Sequence, residues 1–257
     1  MKLNGGILII GSLVWDDSTI RKNWRNQSLN EKDRIKVRIP IRYGRISQSR
    51  MNTYTMVFSP ALAQDEYGQG ILLKFRNPIV STDALINEAD TIIRVERDKT
   101  KEGWKAIRDA NPIVLNWNWG VLGLCINPKH LKNNVYSEEV NGIVNLWRNC
   151  LSNFDSSIYS VKGENSFIDV NGIFKVDWNQ EMENIDFFVS TVIQPNVEKT
   201  YPDGEQIALK MYEGKYYSYF INNIENGITT KDDPVILKLL KEKYSISSYI
   251  EDKISKK

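Results

Sequence analysis

The sequence predicts an α+β fold. Short apolar or alternating stretches dominate the first hundred residues, one amphipathic run of helical period interrupts them, and the C-terminal tail carries capped helical patterns. With 257 residues, 41% hydrophobic and 26% charged, the chain is long enough to bury a full core as one generous domain or a domain with a smaller appendage.

Residues 7 to 10 form an unbroken apolar run that ends at Gly11, which suits a buried central strand better than a half-exposed one. From Arg34 to Ile41, Ile35, Val37, Ile39 and Ile41 alternate with Arg34, Lys36 and Arg38, the period of a strand with one wet face, and Pro40 suits its edge or end. Thr53 to Ser59 and Gly70 to Phe75 are β-rich and bounded by Pro60 and by Gly68-Gln69-Gly70.

Thr82 to Arg97 changes period. At about 100° per residue, Leu85, Ala89, Ile92 and Glu96 share one stripe, Ile93 lies at its edge and Glu88 on its flank. Ser81, Thr82 or Asp83 can cap this helix. Trp117 to Asn127 reads as a further buried strand and Ile185 to Ile193 as another, with Asn141-Gly142 and Asn171-Gly172 as turn signals between them. Asp203 to Glu213 and a helix capped by Asp233, with Pro234 at its first position, close the chain, and Tyr216, Tyr217, Tyr219 and Phe220 are expected to pack these helices onto the body. The expected division is a core over residues 1–130 and, over 131–257, a continuation of that core plus a helical extension.

Charge and rare residues exclude several functions. Thirty-four Lys and Arg against 32 Asp and Glu leave a net charge of +2, too little for the broad positive field of a nucleic-acid binder. One histidine, His130, and two cysteines, Cys125 and Cys150, cannot build a zinc ribbon or a multi-histidine centre, so no metal and no cofactor is expected. His130 reads as an exposed loop residue. No apolar run reaches the roughly 20 residues needed to cross a bilayer, and Met1-Lys2-Leu3-Asn4 leads into a strand without a cleavage site. A cytoplasmic protein with a small-molecule partner is the expectation, its chemistry carried by carboxylates, hydroxyls, arginines and backbone amides.

The most specific feature is Ile9-Ile10-Gly11-Ser12-Leu13-Val14-Trp15. A strand that stops in Gly-Ser-Leu brings successive N–H groups and a hydroxyl to a sheet end, either as a carboxylate cradle or as a tight turn needing glycine only for backbone freedom. The run resembles the signature loop of the γ-glutamyl cyclotransferase-like superfamily, above all its ChaC branch, where an N-terminal strand ends in Tyr-Gly-Ser-Leu, often followed by a residue and tryptophan. Tyr43-Gly44-Arg45-Ile46-Ser47-Gln48-Ser49-Arg50 resembles that branch's later glycine, arginine and serine pattern. Gly68 to Phe75 resembles the strand that precedes the helix carrying its catalytic glutamate. The likeness spans roughly residues 6 to 100.

The resemblance implies a small mixed β-barrel with flanking helices and an intramolecular reaction, in which the α-amine of a γ-glutamyl group attacks its own γ-carbonyl and releases 5-oxoproline and an amine. Gly11, Ser12, Leu13, Trp15, Tyr43, Arg45 and Arg50 would then bind substrate, with Arg45 anchoring a carboxylate. Glu96 would shuttle the proton, with Glu88 as the second candidate: Glu88 sits nearer the family's spacing, while the helical stripe points Glu96 inward. Ile10 occupies the position of the family's tyrosine, so either another hydroxyl such as that of Tyr43 replaces it or the substrate differs.

Overall fold

The computed structural model describes residues 2–97, 114–133, 135–161, 163–197 and 200–246. Its centre is a six-stranded mixed sheet in the order β2-β5-β1-β10-β7-β6, formed by β1 (Gly5–Ile9), β2 (Leu29–Ile39), β5 (Gly68–Phe75), β6 (Asn116–Trp117), β7 (Gly120–Ile126) and β10 (Phe187–Ile193). β1 is apolar throughout because it is buried on both faces. It pairs antiparallel with β5, Ile7 opposite Leu73, and parallel with β10, Ile7 opposite Val189.

β2 is the sheet's outer strand, and its alternation is observed: Ile35, Val37 and Ile39 are buried while Lys36 and Arg38 face solvent. Pro40, which has no N–H for a ladder, separates β2 from β3 (Ile41–Ser47). β3 pairs with β4 (Thr53–Phe58) in a separate hairpin. Beyond β10 the Asn196 N–H donates to the Gly44 carbonyl (3.1 Å) and the Asn196 amide donates to the Ile46 carbonyl (3.1 Å), which ties this hairpin to the sheet. Among the described residues no pairing joins β2 to β6, so the sheet is open. The closed barrel implied by the resemblance is not found: β2 and β6 are the two edges of the sheet, and β3 and β4 form a separate pair.

α1 (Thr19–Ser28) follows the first strand, and its sequence is too polar to announce it: Trp24 and Arg25 are its buried residues. α2 (Thr82–Glu96) has the expected face, with Leu85, Ala89, Ile92 and Ile93 buried and the Ser81 hydroxyl accepting from the Ala84 N–H (3.1 Å). α3 (Glu138–Cys150) runs through Asn141-Gly142, where a turn was expected. Val140, Ile143, Val144 and Trp147 recur at helical spacing and bury a continuous stripe, and this outweighs the turn preference of the dipeptide. At Asn171-Gly172 the turn forms, with Gly172 at φ 74° and the Asp169 carboxylate accepting from the Asn171 and Ile173 N–H groups (2.8 and 2.9 Å).

A short two-stranded ribbon, β8 (Leu131–Lys132) and β9 (Val135–Tyr136), precedes α3. The tail folds as α4 (Gly204–Gly214), α5 (Ser218–Glu225) and α6 (Asp233–Glu242). Asp203 and Gln206 exchange capping hydrogen bonds (2.8 and 3.1 Å) at the start of α4. α6 begins one residue earlier than expected, at Asp233, whose carboxylate turns back to accept from the Thr230 N–H (3.0 Å) and hydroxyl (2.6 Å). Ile207, Phe220, Ile236 and Leu240 belong to the same apolar cluster as Ile7 and Leu72, so the core is continuous from the first strand to the last helix.

Candidate functional site

The loop after β1 is a 3-10 turn over Ser12–Val14, in which the Ser12 carbonyl accepts from the Trp15 and Asp16 N–H groups (3.1 and 2.8 Å). α1 holds it from outside. The buried Arg25 donates to the Leu13 carbonyl (3.0 Å), the Asp16 carbonyl (2.7 Å) and the Asp17 carboxylate (2.7 Å), and lies 3.3 Å from Glu31. Arg21, one turn earlier, pairs with Asp16 and reaches the Ser12 hydroxyl (3.4 Å) and the Val95 carbonyl (3.4 Å). Burial would raise the Asp16 carboxyl, but the Ser18 N–H and the Arg21 guanidinium outweigh it and hold the group below its ordinary range. Arg21 and Arg25, with the carboxylates they pair, thus fix a loop that carries little apolar anchor of its own beyond Leu13 and Val14.

A pocket of about 770 Å³ opens at this loop, between the C-terminal ends of β1, β10 and α2 and the β3–β4 hairpin. The structure brings six of the sequence candidates to its wall: Gly11, Ser12, Leu13, Arg45, Arg50 and Glu96. Arg50 donates to the Ser12 hydroxyl (3.0 Å) and the Ser47 hydroxyl (3.3 Å), with its guanidinium 4.8 Å from the ring centre of Tyr219. Arg45 donates to the Gln194 carbonyl (2.8 Å) and stands 5.6 Å from the Trp119 ring. No ion pair among the described residues neutralises either arginine, so both present positive charge to a ligand.

Glu96 is the last residue of α2 and faces this cavity with part of its side chain still open to it. Burial raises its carboxyl above the ordinary value, and the Arg21 and Arg50 guanidinium groups only partly offset the rise. The result is a carboxyl able to take and return a proton beside two cations and a serine hydroxyl.

The other candidates lie elsewhere. Glu88 is off the pocket wall, on the flank of α2 near Ser28, where burial raises its carboxyl and a Ser28 hydrogen bond lowers it. Tyr43 is fully buried and does not line the pocket, so its hydroxyl cannot stand in there for the one Ile10 lacks. Its phenol is pushed well up, mainly by burial and further by Asp233. Trp15 also lies off the wall, with its Nε1–H donating to Asn223 Oδ1 (2.7 Å).

Sequence reasoning missed Arg21, Trp119 and Thr191, which α1, the β6–β7 turn and β10 carry to the pocket, and it favoured helix packing over a ligand contact for Tyr219. The tyrosine cluster was the available signal, since a half-polar aromatic near a site can both pack and line it. His130 is not the exposed loop residue expected. Its Nε2 meets Asp186 at 2.9 Å and its Nδ1 meets the Ser137 hydroxyl at 3.0 Å, while Lys129 contacts the same Asp186 (2.8 Å), which makes a polar clasp away from the pocket. Among the described residues no group of three or more His, Cys, Asp or Glu is placed to hold a metal, and no helix is long and apolar enough to cross a membrane. No protein-family model, curated protein or solved structure matches this chain.

Proposed function

We propose that the protein is an enzyme of the γ-glutamyl cyclotransferase-like class that cyclises a γ-glutamyl amine or a related small acyl compound. The observation that carries the reading is the meeting of Glu96, raised by burial, with the Gly11–Leu13 loop and Arg50 in one pocket. The loop and Arg50 lie in stretches that the resemblance singles out, and Glu96 lies on the helix it implies, where the apolar stripe and not the family's spacing points to it. Cyclisation needs little beyond this, because the nucleophile is already part of the substrate and the protein has only to fold the chain onto itself.

In this scheme Arg45 or Arg50 anchors the α-carboxylate and the Glu96 carboxylate takes a proton from the α-ammonium. The freed amine forms a C–N bond to the γ-carbonyl carbon, and the backbone amides of Gly11 to Leu13 hold the oxyanion. The ring nitrogen then gives up its second proton to solvent, the intermediate collapses with cleavage of the original amide C–N bond, and Glu96 returns the proton it took to the departing amine. The products are 5-oxoproline and the free amine.

The test is mass spectrometry of a bacterial metabolite extract incubated with the wild-type protein and with Glu96→Gln, after both are shown to be folded. The reading expects 5-oxoproline to accumulate with wild type only, since loss of a proton shuttle costs on the order of 10²–10⁴-fold in rate. Equal 5-oxoproline from both proteins removes Glu96 from the chemistry. A second reading, a module that binds a small anionic metabolite or nucleotide without transforming it, is favoured by the two unneutralised arginines and by Ile10. It expects no 5-oxoproline together with thermal stabilisation by such an anion.

A further inference from the structure

Ile10 gives the start of the loop no polar group, yet a phenol reaches the same place from the far end of the chain. Tyr219, the second residue of α5, is 5% exposed and lines the pocket. Its ring lies under the Arg50 guanidinium and edge-on to Trp15, with centroids 6.0 Å apart. A Cβ on residue 11 would stand 2.8 Å from its hydroxyl oxygen, so the phenol sits directly against the Gly11 backbone and only glycine leaves it room.

The hydroxyl is held by a donor. The Met56 N–H donates to it (3.3 Å), and the amide of Asn223, one turn along α5 and fully buried, lies near enough to favour its ionised form. The orientation of that amide is fixed: indole Nε1 of Trp15 can only donate, so the Asn223 atom it meets at 2.7 Å is the carbonyl oxygen, and Nδ2 is left facing Tyr219 and the Met56 sulfur (4.0 Å). The Met56 N–H occupies one lone pair of the phenol oxygen and leaves its O–H proton free to turn into the cavity that Tyr219 shares with Glu96.

We infer that Tyr219 donates a hydrogen bond to an oxygen atom of the bound molecule, and that Trp15 and Asn223 are positioning residues that orient it. The inference rests on reading this pocket as the substrate site. It gives the tryptophan of the signature loop a task at the pocket without any contact with substrate. It also explains how a helix of the C-terminal tail completes a site whose loop, arginines and glutamate come from the first hundred residues.

The test uses Tyr219→Phe, which deletes only the hydroxyl, and Trp15→Phe, which keeps an aromatic ring but deletes the indole donor; thermal unfolding checks that both fold. In protein labelled with ¹³Cζ-tyrosine, the Tyr219 resonance is the one missing from Tyr219→Phe. It is expected to shift in Trp15→Phe and to move when 5-oxoproline or glutamate is added to wild type. Tyr219→Phe is expected to lower kcat for 5-oxoproline release about 100-fold, and Trp15→Phe about tenfold with KM unchanged. An unmoved Tyr219 resonance in Trp15→Phe overturns the positioning chain. Wild-type kcat/KM in Tyr219→Phe, or a resonance that neither probe perturbs, overturns the donor. If wild type releases no 5-oxoproline, the cyclotransferase reading fails by itself, and the two resonance shifts still decide the roles of Tyr219 and Trp15.

Discussion

Two glutamates on one helix show how little separates a structural carboxyl from a functional one. Glu88 and Glu96 are both raised by burial, but Glu96 opens on the pocket beside Arg21 and Arg50, while Glu88 rests on the flank of α2 near Ser28. Since the folded state raises the Glu88 carboxyl, its contribution to stability is complete below its unfolded value near 4.5 and is lost as pH rises through the folded value. Glu88→Gln is therefore expected to unfold at least as high as wild type at pH 7 and to keep full activity, as thermal melts and 5-oxoproline assays will read. A loss of activity without a loss of fold would move the chemistry to Glu88. The helical stripe made Glu96 legible, because facing inward depends on a local period. Tyr219 was not legible as a site residue, because its approach to Gly11 depends on packing between segments from opposite ends of the chain.

At the scale of elements, the legible pieces were those whose pattern is local: the apolar run of β1, the alternation of β2, and the apolar stripes of α2, α4 and α6, though Asp233 does not cap α6 as expected. α1 escaped because it buries little beyond Trp24 and Arg25, and β3 because its polar arginines reveal a strand only against β4. α1 is nonetheless what shapes the signature loop. Arg25→Ala strips hydrogen bonds from two loop carbonyls and leaves Asp17 and Glu31 without their guanidinium. The substitution is expected to cost about 3 kcal/mol in denaturant unfolding and to lower turnover as the loop loosens. Unchanged stability and turnover would show that the loop holds its shape without α1.

For the whole molecule, the continuity of the core decides what the tail is for. α4, α5 and α6 bury Ile207, Phe220 and Ile236 in the cluster that contains β1, so these helices pack into the same core, and α5 contributes Tyr219 to the pocket wall. This could not be read from the sequence, since it depends on β10 inserting between β1 and β7. The same burial leaves a pH signature. Asp233 is pushed up to about 6 by burial, against the hydrogen bonds from Thr230. Its stabilisation is complete below about 3.8 and falls away as pH rises through 6, a loss of about 3 kcal/mol. Asp233→Asn, which keeps an acceptor for Thr230, is expected to flatten stability between pH 4 and pH 7. An identical pH dependence in the two proteins would show that Asp233 does not titrate there.

The central claim is that the fold delivers Glu96, its carboxyl raised by burial, to the loop at the end of β1, and its most direct test is the titration of that one carboxyl by ¹³C NMR, with Glu96→Gln assigning the resonance. The account predicts a midpoint clearly above 4.5, the ordinary glutamate value, and a further shift when Arg50 is replaced by Met. A midpoint at or below 4.5 would mean that Glu96 is already a solvated or fully paired carboxylate, and would contradict its assignment as the proton shuttle.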